Sequence, residues 1–427
     1  MRTITEHRAA ALVLVGPSAE VEIALADLDG HVLARDVVAP TALPRWDNSA
    51  MDGYAVRVAD LHAAREDHPV ELTVLADLAA GSDAAPQVGP GTAARIMTGA
   101  PVPPGADAVV PVEHTDGGTS TVRVRRAPTP GAHVRRVGED VAAGDLVLAA
   151  GCRMGPAQVA AAASVGCSTL TVHRRPRVAV LSTGSELVEP GTSLRRGQIP
   201  DSNSFLLAAA VRAAGCDVVR LGAVPDDAVI LRRVLDELDG HPEHEGEPGL
   251  ADGVGRVDAV VSSGGVSMGA YDVVKEVLTA EPAMEFVEVA MQPGKPQGLG
   301  RLRGGTPVFA LPGNPVSAFV SFEVFVRPAL LRLRGLGEVD RPMVEAVVQD
   351  GWRTPAGRAQ YMPVVVLPPR PGAGGESGDL LVRRAARGGS GSHLVAGLAA
   401  AQGLALVEAD VQEVQAGDRV RVMLVDR

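Results

Sequence analysis

The chain has 427 residues, a formal net charge of -11 and only 3% aromatic residues. This length permits two to four domains with ample cores, and the acidic balance argues against a nucleic-acid surface. No run of about 18 apolar residues occurs, so we expect no membrane span.

The three cysteines, Cys152, Cys167 and Cys216, form no closely spaced pair. A sparse, odd number of cysteines indicates reduced thiols in a cytoplasmic protein, and it argues against a zinc site. The N-terminal residues carry Glu6 inside a short apolar run and lack a cleavage-site pattern. We therefore interpret them as helix rather than as a signal peptide.

Most of the first 148 residues are predicted to be β-rich, after a segment 1–25 that is predicted to be mostly helical. Residues 42–55 show little helix or strand periodicity, and a functional loop and an ordinary domain crossover explain them equally well. Residues 69–148 alternate short apolar runs with Gly, Pro and Asp turns, as strands do. Within them, residues 135–140 place two cations beside two carboxylates, which we interpret as a solvated ion-pair cluster.

Strands and helices then alternate up to residue 333. Three apolar runs, 178–182, 257–263 and 307–311, each end in a glycine-rich loop. Continuous apolar runs bounded by glycine indicate strands buried on both faces, and the alternation favours a doubly wound, mostly parallel sheet. The apolar segment 316–333 is predicted to be one helix with a kink at Pro328.

Two further predictions concern the remaining strands. A strand is expected over 286–291, between the second and third of the glycine-terminated runs. Residues 341–427 show several short strand patterns, which predict a small β-barrel or sandwich.

The three glycine-rich loops combine anion-binding backbone groups with acidic side chains. Loops at the carboxyl ends of parallel strands are where open α/β sheets bind ligands, and the N–H groups of glycine turns suit an anion. Four carboxylates lie in or near these loops: Glu186, Asp226, Asp227 and Asp272. Because carboxylates repel phosphate unless a cation lies between them, the pattern predicts a phosphorylated ligand bound with Mg²⁺.

Several alternatives follow from the residues alone. Helix capping explains Asp226 and Asp227 about as well as metal binding does. The chain has no P-loop, no GxGxxG dinucleotide motif and no GxSxG nucleophile motif. Only two of its 40 basic residues are lysines, Lys275 and Lys295. A lysine in an arginine-rich chain can mark a need for a compact ammonium group, although chance also explains each one.

Seven motifs, in chain order, resemble those of the molybdopterin molybdenumtransferases, which are bacterial molybdate-insertion enzymes similar to the E domain of gephyrin. They are SAMDGYA at 49–55, IMTGAPVP at 96–103, GED at 138–140, STGSEL at 182–187, SGGVS at 263–267, PGKP at 293–296 and LPGNPVS at 311–317. The resemblance covers nearly the whole chain.

The resemblance implies a definite activity. Members of the family insert molybdate into adenylylated molybdopterin, release AMP and yield molybdenum cofactor, with Mg²⁺ as the divalent cation. They form elongated homodimers in which the cleft lies between the α/β domain of one subunit and the β-rich second domain of the other. The molybdopterin adenylyltransferase and client molybdoenzymes are further expected partners, and the expected location is the cytoplasm.

The resemblance also implies a domain plan of α/β and β-rich parts. It consists of a split N-terminal domain (1–48 and 149–174), an inserted β-rich domain (49–148), a doubly wound molybdopterin-binding domain (175–335) and a C-terminal β-barrel (336–427).

The site residues implied by the resemblance fall into three groups. The expected catalytic residues are Asp52, Glu186, Asp272 and Lys295. The expected substrate-binding residues are Thr98, Asp140, Thr183, Gly184, Gly264, Gly265, Ser267, Pro312, Gly313, Asn314, Pro315 and Ser317. The expected metal ligands are Glu186, Asp272 and either Asp226 or Asp227. Ser390 and Ser392 match a C-terminal family segment only weakly.

Two departures from the family pattern concern charge. Many members carry a second lysine where this chain has Gln292, and an aspartate where it has Ser185. Losing a cation and an anion together leaves the local charge similar, but Gln292 offers a molybdate ion no Coulomb attraction. Two other functions were weighed: the adenylyltransferase that makes the substrate, and a non-catalytic scaffold. The SAMDGYA motif argues against the first, and the intact acidic loops argue against the second.

Overall fold

The computed structural model describes residues 1–240, 254–266, 273–368, 379–386 and 395–425. Its contacts divide the chain into two compact units. The first comprises Met1–Val21, Gly30–Ala34 and Val172–Arg427, and the second comprises Glu22–Asp29 and Arg35–Thr171. The domain boundaries expected from the sequence stay a prediction. Across the described ranges, no helix is both long and apolar enough to cross a membrane.

Short strands dominate the chain up to residue 173. The elements are α1 (Ile4–Val13), β1 (Glu20–Ala24), β2 (Val32–Leu33), β3 (Val37–Val38), β4 (Asn48–Ser49), β5 (Gly53–Val56), β6 (Val70–Leu78), β7 (Thr92–Ile96), β8 (Ala108–Pro111), β9 (Thr121–Val124), β10 (Val134–Arg135), β11 (Leu146–Leu148), α2 (Pro156–Ser164) and β12 (Thr169–His173).

The structure corrects two predictions in this part. The predicted helix over 1–25 ends at Val13, and Glu20–Ala24 form a strand in which exposed and half-buried residues alternate. The segment 42–55 is not wholly irregular, because β5 is a fully buried strand of a five-stranded sheet ordered β8-β5-β7-β6-β9. Four residues are too few for a periodicity to be detected in the sequence.

Alternating strands and helices follow, as predicted. They are β13 (Arg177–Thr183), β14 (Leu187–Val188), β15 (Ile199–Pro200), α3 (Asn203–Ala213), β16 (Asp217–Val224), α4 (Ala228–Asp239), β17 (Ala259–Ser263), α5 (Val273–Thr279), β18 (Glu285–Glu288), β19 (Met291–Gln292), β20 (Pro296–Arg301), β21 (Pro307–Leu311), α6 (Pro315–Ser321) and α7 (Arg327–Leu333).

The large sheet has the order β16-β13-β17-β21-β20-β18. Neighbours from β16 to β21 pair in parallel, while β20 pairs antiparallel with both β21 and β18. The doubly wound, mostly parallel fold is therefore confirmed, with separate apolar cores on the two faces of the sheet. The three glycine-terminated runs are the adjacent strands β13, β17 and β21, so their carboxyl ends meet at one edge.

The predicted strand over 286–291 is wrong in its extent, and β20 was not predicted at all. The chain leaves β18 at Glu288 and begins a different strand at Met291. Strand β20 contains glycines, which propensity disfavours. A Cβ on Gly298 would lie 2.7 Å from the Phe286 ring, and one on Gly300 would lie 2.2 Å from the carbonyl oxygen of Ala283. The glycines are there because neighbouring atoms leave no room for a side chain.

The long helix predicted over 316–333 is interrupted, but not by a simple proline kink. A π-helical stretch, Phe322–Val326, joins α6 to α7, and Pro328 lies in the first turn of α7. Proline lacks the N–H that an α-helix donates four residues back, so the wider π turn just before Pro328 accommodates the missing bond.

The C-terminal residues form a closed barrel, as predicted. Its region contains β22 (Met343–Val348), β23 (Trp352–Arg353), β24 (Ala359–Leu367), β25 (Leu381–Arg384), α8 (Val395–Ala399), β26 (Gly403–Val407), β27 (Glu413–Val414) and β28 (Arg419–Leu424). Pairing runs β24-β25-β22-β28-β26, and β26 pairs back with β24, which closes five strands around their own apolar core.

Candidate functional site

A cleft of about 630 Å³ lies at the carboxyl ends of β13, β17 and β21. Its position follows from the topology, because parallel neighbours deliver their following loops to the same edge. Its lining includes ten residues that were expected to form the site: Thr183, Gly184, Glu186, Asp226, Gly264, Gly265, Pro312, Gly313, Asn314 and Ser317. Leu187, Ile199, Asn203, Ser263, Val266 and Pro296 complete the lining.

The glycines of these loops let three strand ends approach one another. Gly264 has φ +97°, and a Cβ there would lie 2.7 Å from the carbonyl oxygen of Thr183. A Cβ on Gly313 would lie 3.4 Å from the Cα of Gly264. The cleft floor is therefore backbone in close contact, which leaves peptide groups as its main polar surface.

Two side-chain hydrogen bonds tie the loops together. The Ser182 and Ser263 hydroxyls lie 3.1 Å apart at the ends of β13 and β17. Asn203, in the first turn of α3, donates from Nδ2 to the carbonyl oxygen of Gly313 at 2.6 Å. The first contact joins the ends of β13 and β17, and the second fixes the loop after β21 to the helix that follows β15.

The acidic residues near the cleft have different environments. Glu186 and Asp226 are exposed and line the cleft, and Asp226 accepts a hydrogen bond from the Ser185 N–H at 2.8 Å. Asp227 caps α4 instead, because its Oδ1 accepts the N–H groups of Val229 and Ile230 at 2.8 and 3.0 Å. Asp227 is not part of the lining. The structure therefore gives Asp226 a place in the cleft and Asp227 the role of helix cap, whereas the sequence did not distinguish between the two.

Lys295 does not line the cleft, although the next residue, Pro296, does. Its Nζ forms a salt bridge with Glu288 Oε1 at 2.8 Å, and this hydrogen bond lowers the pKa of the exposed Glu288 carboxyl. Its side chain is 39% exposed. The ammonium group is therefore at the surface beside the cleft, paired with a carboxylate.

The second unit brings two other expected residues together. Asp52 Oδ1 accepts hydrogen bonds from the N–H and the hydroxyl of Thr98, at 2.7 and 2.8 Å. These bonds, the backbone one foremost, hold the pKa of Asp52 below its usual value. Asp140 is also exposed in this unit. Asp52 and Thr98 are 46 residues apart in sequence, so only the family motifs indicated a connection.

The charged cluster at 135–140 is only partly what the sequence indicated. Arg136 pairs with Asp47 at 2.5 Å, and Asp47 also accepts the Val137 N–H at 2.8 Å. Glu139 accepts the backbone N–H of Arg136 rather than a guanidinium. The surface ion pair therefore joins this turn to the segment that precedes SAMDGYA.

Some expected residues lie elsewhere. Ser267, Asp272, Ser390 and Ser392 lie outside the described residues. Pro315 opens α6 without joining the cleft lining. Among the described residues, no group of three or more His, Cys, Asp or Glu side chains is placed to hold a metal ion. Glu186 and Asp226 are two oxygen donors at the cleft, and Mg²⁺ binds in proteins through one or two carboxylates together with substrate phosphates and water.

Asn203 is a cleft residue that the sequence analysis missed as such. The residues Asp201–Asn203 have the composition of a helix cap, and Asp201 accepts the Ser204 N–H at 3.0 Å. A signal was present, since an asparagine in the first turn of a helix in this fold faces the same edge as the strand-end loops. Its contact with Gly313, 110 residues away, was not visible in the sequence.

The fold and the cleft together define an α/β ligand-binding protein whose site suits a phosphorylated anion, followed by a small closed barrel. Three family models match the chain in order: MoeA N-terminal region (domain I and II) over residues 2–166, probable molybdopterin binding domain over 179–332, and MoeA C-terminal region (domain IV) over 345–425.

Whole-length relatives agree with these matches. The chain is 44% identical over 428 residues to molybdopterin molybdenumtransferase 2 of Mycobacterium tuberculosis, covering 99% of each chain. It is 33% identical to the molybdopterin molybdenumtransferase of Haemophilus influenzae, covering 93% of this chain and 92% of the relative. The solved molybdopterin biosynthesis moeA protein of Pyrococcus horikoshii OT3 superposes with a TM-score of 0.79, 28% identity and full coverage of both chains. The chain belongs to the molybdopterin molybdenumtransferase family.

Proposed function

We propose that this protein is a molybdopterin molybdotransferase, which inserts molybdate into adenylylated molybdopterin and releases AMP as molybdenum cofactor forms. The observation that carries the proposal is the cleft formed by the family motifs. STGSEL, SGGVS and LPGNPVS follow three adjacent strands and meet at one sheet edge. Whole-length relatives that are named for this activity support the same conclusion.

The substrates explain the chemistry of the cleft. Molybdate and the phosphoanhydride of the adenylylated ligand are both anionic, and the peptide groups of the glycine loops offer N–H donors without a charged side chain. Positioning and electrostatic preorganisation then do the catalytic work, without a covalent side-chain intermediate. Lys295 lies in the PGKP motif next to the lining residue Pro296, and its ammonium group would bind an incoming anion that replaces Glu288 as its partner.

Mg²⁺ is proposed as the cofactor, held by Glu186 and Asp226 together with substrate oxygens. The two exposed carboxylates fit this role because they lie in the lining and would otherwise repel an anionic ligand. When bound, Mg²⁺ neutralises negative charge and polarises the phosphoryl linkage. We expect Asp272 to add a third carboxylate.

A homodimer with a shared cleft is the proposed assembly. Asp52, Thr98 and Asp140 would enter the cleft of the second subunit. Two exposed apolar side chains precede Asp52 in sequence, Trp46 at 53% and Met51 at 37% exposure, and a partner surface would remove them from water.

The direct test incubates the purified protein with adenylylated molybdopterin, molybdate and Mg²⁺. We expect AMP release, and cofactor formation measured by reactivation of a cofactor-free molybdoenzyme. A parallel incubation with molybdopterin and ATP tests the adenylyltransferase alternative. The proposal fails if the first mixture yields neither product, and the alternative replaces it if only the second mixture reacts.

The shared cleft has its own test. Mixed dimers of an Asp52→Ala subunit and a Glu186→Ala subunit contain one site with both residues intact. Random mixing therefore predicts about a quarter of the wild-type activity from two nearly inactive parents. A mixture as inactive as its parents, with mixed dimers demonstrated by mass spectrometry, would exclude a shared site.

A further inference from the structure

In the buried side-chain amide of Asn203, the nitrogen forms a hydrogen bond, whereas the oxygen forms none with the described residues. The residue is 8% exposed and lines the cleft. Its Nδ2 donates to Gly313 at 2.6 Å, whereas its Oδ1 is buried and has no hydrogen-bond partner among the described residues. The assignment of the two atoms is settled by this contact, because the opposite orientation would press two carbonyl oxygens together.

A second side-chain oxygen of the cleft lining, Thr183 Oγ1, also lacks a hydrogen-bond partner among the described residues. Thr183 is 7% exposed, lines the cleft, and has a buried Oγ1 that finds no partner in the part of the chain that the structure describes. The intervening contacts connect the two residues, since a Cβ on Gly264 would lie 2.9 Å from Thr183 Oγ1 and one on Gly313 would lie 3.4 Å from the Gly264 Cα. The two residues that carry these oxygens therefore line the same cleft and are linked through Gly264 and Gly313.

The chemistry of these oxygens restricts what they can bind. A carbonyl oxygen only accepts hydrogen bonds, so Asn203 Oδ1 requires a ligand that donates. Molybdate and fully ionised phosphate groups present acceptors only, so they cannot satisfy it. A buried polar atom without a partner is unfavourable by about 1–3 kcal/mol, and native structures retain few of them. A neutral heterocycle with an amino group or a ring N–H supplies the missing donor.

We propose that Asn203 is a substrate-positioning residue that recognises an N–H donor on a heterocyclic ring of the substrate. Its Nδ2 holds the LPGN loop through Gly313, and its Oδ1 accepts the ring donor, with Thr183 Oγ1 as a second acceptor. The inference rests on the proposed function, because adenylylated molybdopterin contains two rings of this kind, a pterin and an adenine. Recognition of the ring thereby fixes where the phosphate lies along the glycine loops.

The first test compares two matched variants that each remove a buried, unpartnered hydroxyl. Thr183→Val alters the cleft, and Thr306→Val alters a similarly buried Thr306 that is not in the cleft lining. Because an unpaired buried hydroxyl contributes nothing favourable, neither variant should lower the melting temperature. We expect Thr183→Val alone to weaken ligand binding, by about fivefold to tenfold.

The ligands of this test are molybdopterin and AMP, titrated separately against the full chain without turnover. Weaker binding of molybdopterin alone assigns the acceptors to the pterin ring. Weaker binding of AMP, with unchanged binding of ribose 5-phosphate, assigns them to adenine. If Thr183→Val and Asn203→Ala remain folded and bind both ligands as tightly as wild type, the inference is overturned. Because binding is measured without turnover, this outcome is distinguishable from a wild type that forms no cofactor, which would refute the proposed function instead.

Asn203→Asp provides a readout that a purely structural role would not give. The carboxylate keeps an acceptor oxygen but cannot donate to Gly313 until it is protonated. Ligand affinity of this variant should therefore recover as the pH falls, relative to the wild-type profile measured in parallel. Asn203→Ala should show no such recovery. An Asp variant with the wild-type profile at every pH would contradict the proposed contact.

Discussion

The neighbouring carboxylates Asp226 and Asp227 should separate cleanly when each is replaced by asparagine. Asp226 lies in the cleft lining, whereas Asp227 satisfies two N–H groups of α4 through one oxygen. Asparagine caps helices as well as aspartate does, so Asp227→Asn should retain the cap and lose only its charge near the helix terminus, about 0.3–1 kcal/mol. Asp227→Ala also loses the cap and should reduce the free energy of unfolding by about 1–2 kcal/mol.

The Mg²⁺ requirement for activity, in contrast to stability, should depend on Asp226 and not on Asp227. Asp226→Asn removes one of the two carboxylates that line the cleft among the described residues, so the Mg²⁺ concentration that gives half-maximal AMP release should rise about tenfold or more. Its unfolding free energy should stay within about 0.5 kcal/mol of wild type, since the amide oxygen can still accept the Ser185 N–H. Neither Asp227 variant should alter the Mg²⁺ requirement.

The assays are Mg²⁺ titration of AMP release and urea unfolding followed by circular dichroism. Asp227→Asn serves as the matched control, because it changes the same charge one residue away without disturbing the helix. If Asp227→Asn raises the Mg²⁺ requirement as much as Asp226→Asn does, the assignment of the two residues is wrong. If Asp227→Ala unfolds at the wild-type urea concentration, the cap contributes less than the geometry indicates.

Three further predictions follow from single contacts. Gly264→Ala places a Cβ 2.7 Å from the Thr183 carbonyl oxygen at a residue with φ +97°. We therefore expect the unfolding free energy to fall by about 1–3 kcal/mol and ligand binding to weaken. An unchanged unfolding free energy together with unchanged ligand affinity would refute the close approach. Lys295→Ala should raise the KM for molybdate with little change in urea unfolding, because the salt bridge that it loses is exposed, and an unchanged KM would remove Lys295 from anion binding. Asp52 has a pKa below its usual value, so its contribution to stability is present above the unfolded-state pKa and is lost as the pH falls through the lower folded-state pKa. An NMR titration of Asp52 measures this pKa. An ordinary or raised pKa, or a pKa that Thr98→Val leaves unchanged, would contradict the prediction.

The parallel strands were predictable from the sequence because burial on both faces leaves a simple pattern. The run 307–311 coincides with β21, and 178–182 lies within β13. Each has apolar residues on consecutive positions and a glycine loop after it, so neither its type nor its end depended on distant contacts. The edge at which a ligand binds followed from the same observation.

The antiparallel strand β20 was not predictable, because it violates local propensity for a reason that lies elsewhere in the chain. Gly298 and Gly300 are required by Phe286 and by the Ala283 carbonyl, and neither neighbour is apparent before the sheet is formed. The same limit applies to the roles of side chains in the site. The sequence could place Asp226 and Asp227 near the cleft, but which of them caps a helix depended on one turn of backbone geometry.

Glycine-built loops also restrict how the protein can diversify. Main-chain groups around Gly184, Gly264 and Gly313 line the cleft beside the side chains of Asn203 and Thr183, and a side chain at Gly264 would press on the backbone at the end of β13. A change in the oxyanion that the protein accepts must therefore arise at the rim, where side chains are free to vary. Ser185 adjoins the lining residues Gly184 and Glu186. Ser185 and Gln292, at which the chain departs from the pattern that the resemblance implies, are the first positions to randomise in a selection for altered oxyanion use.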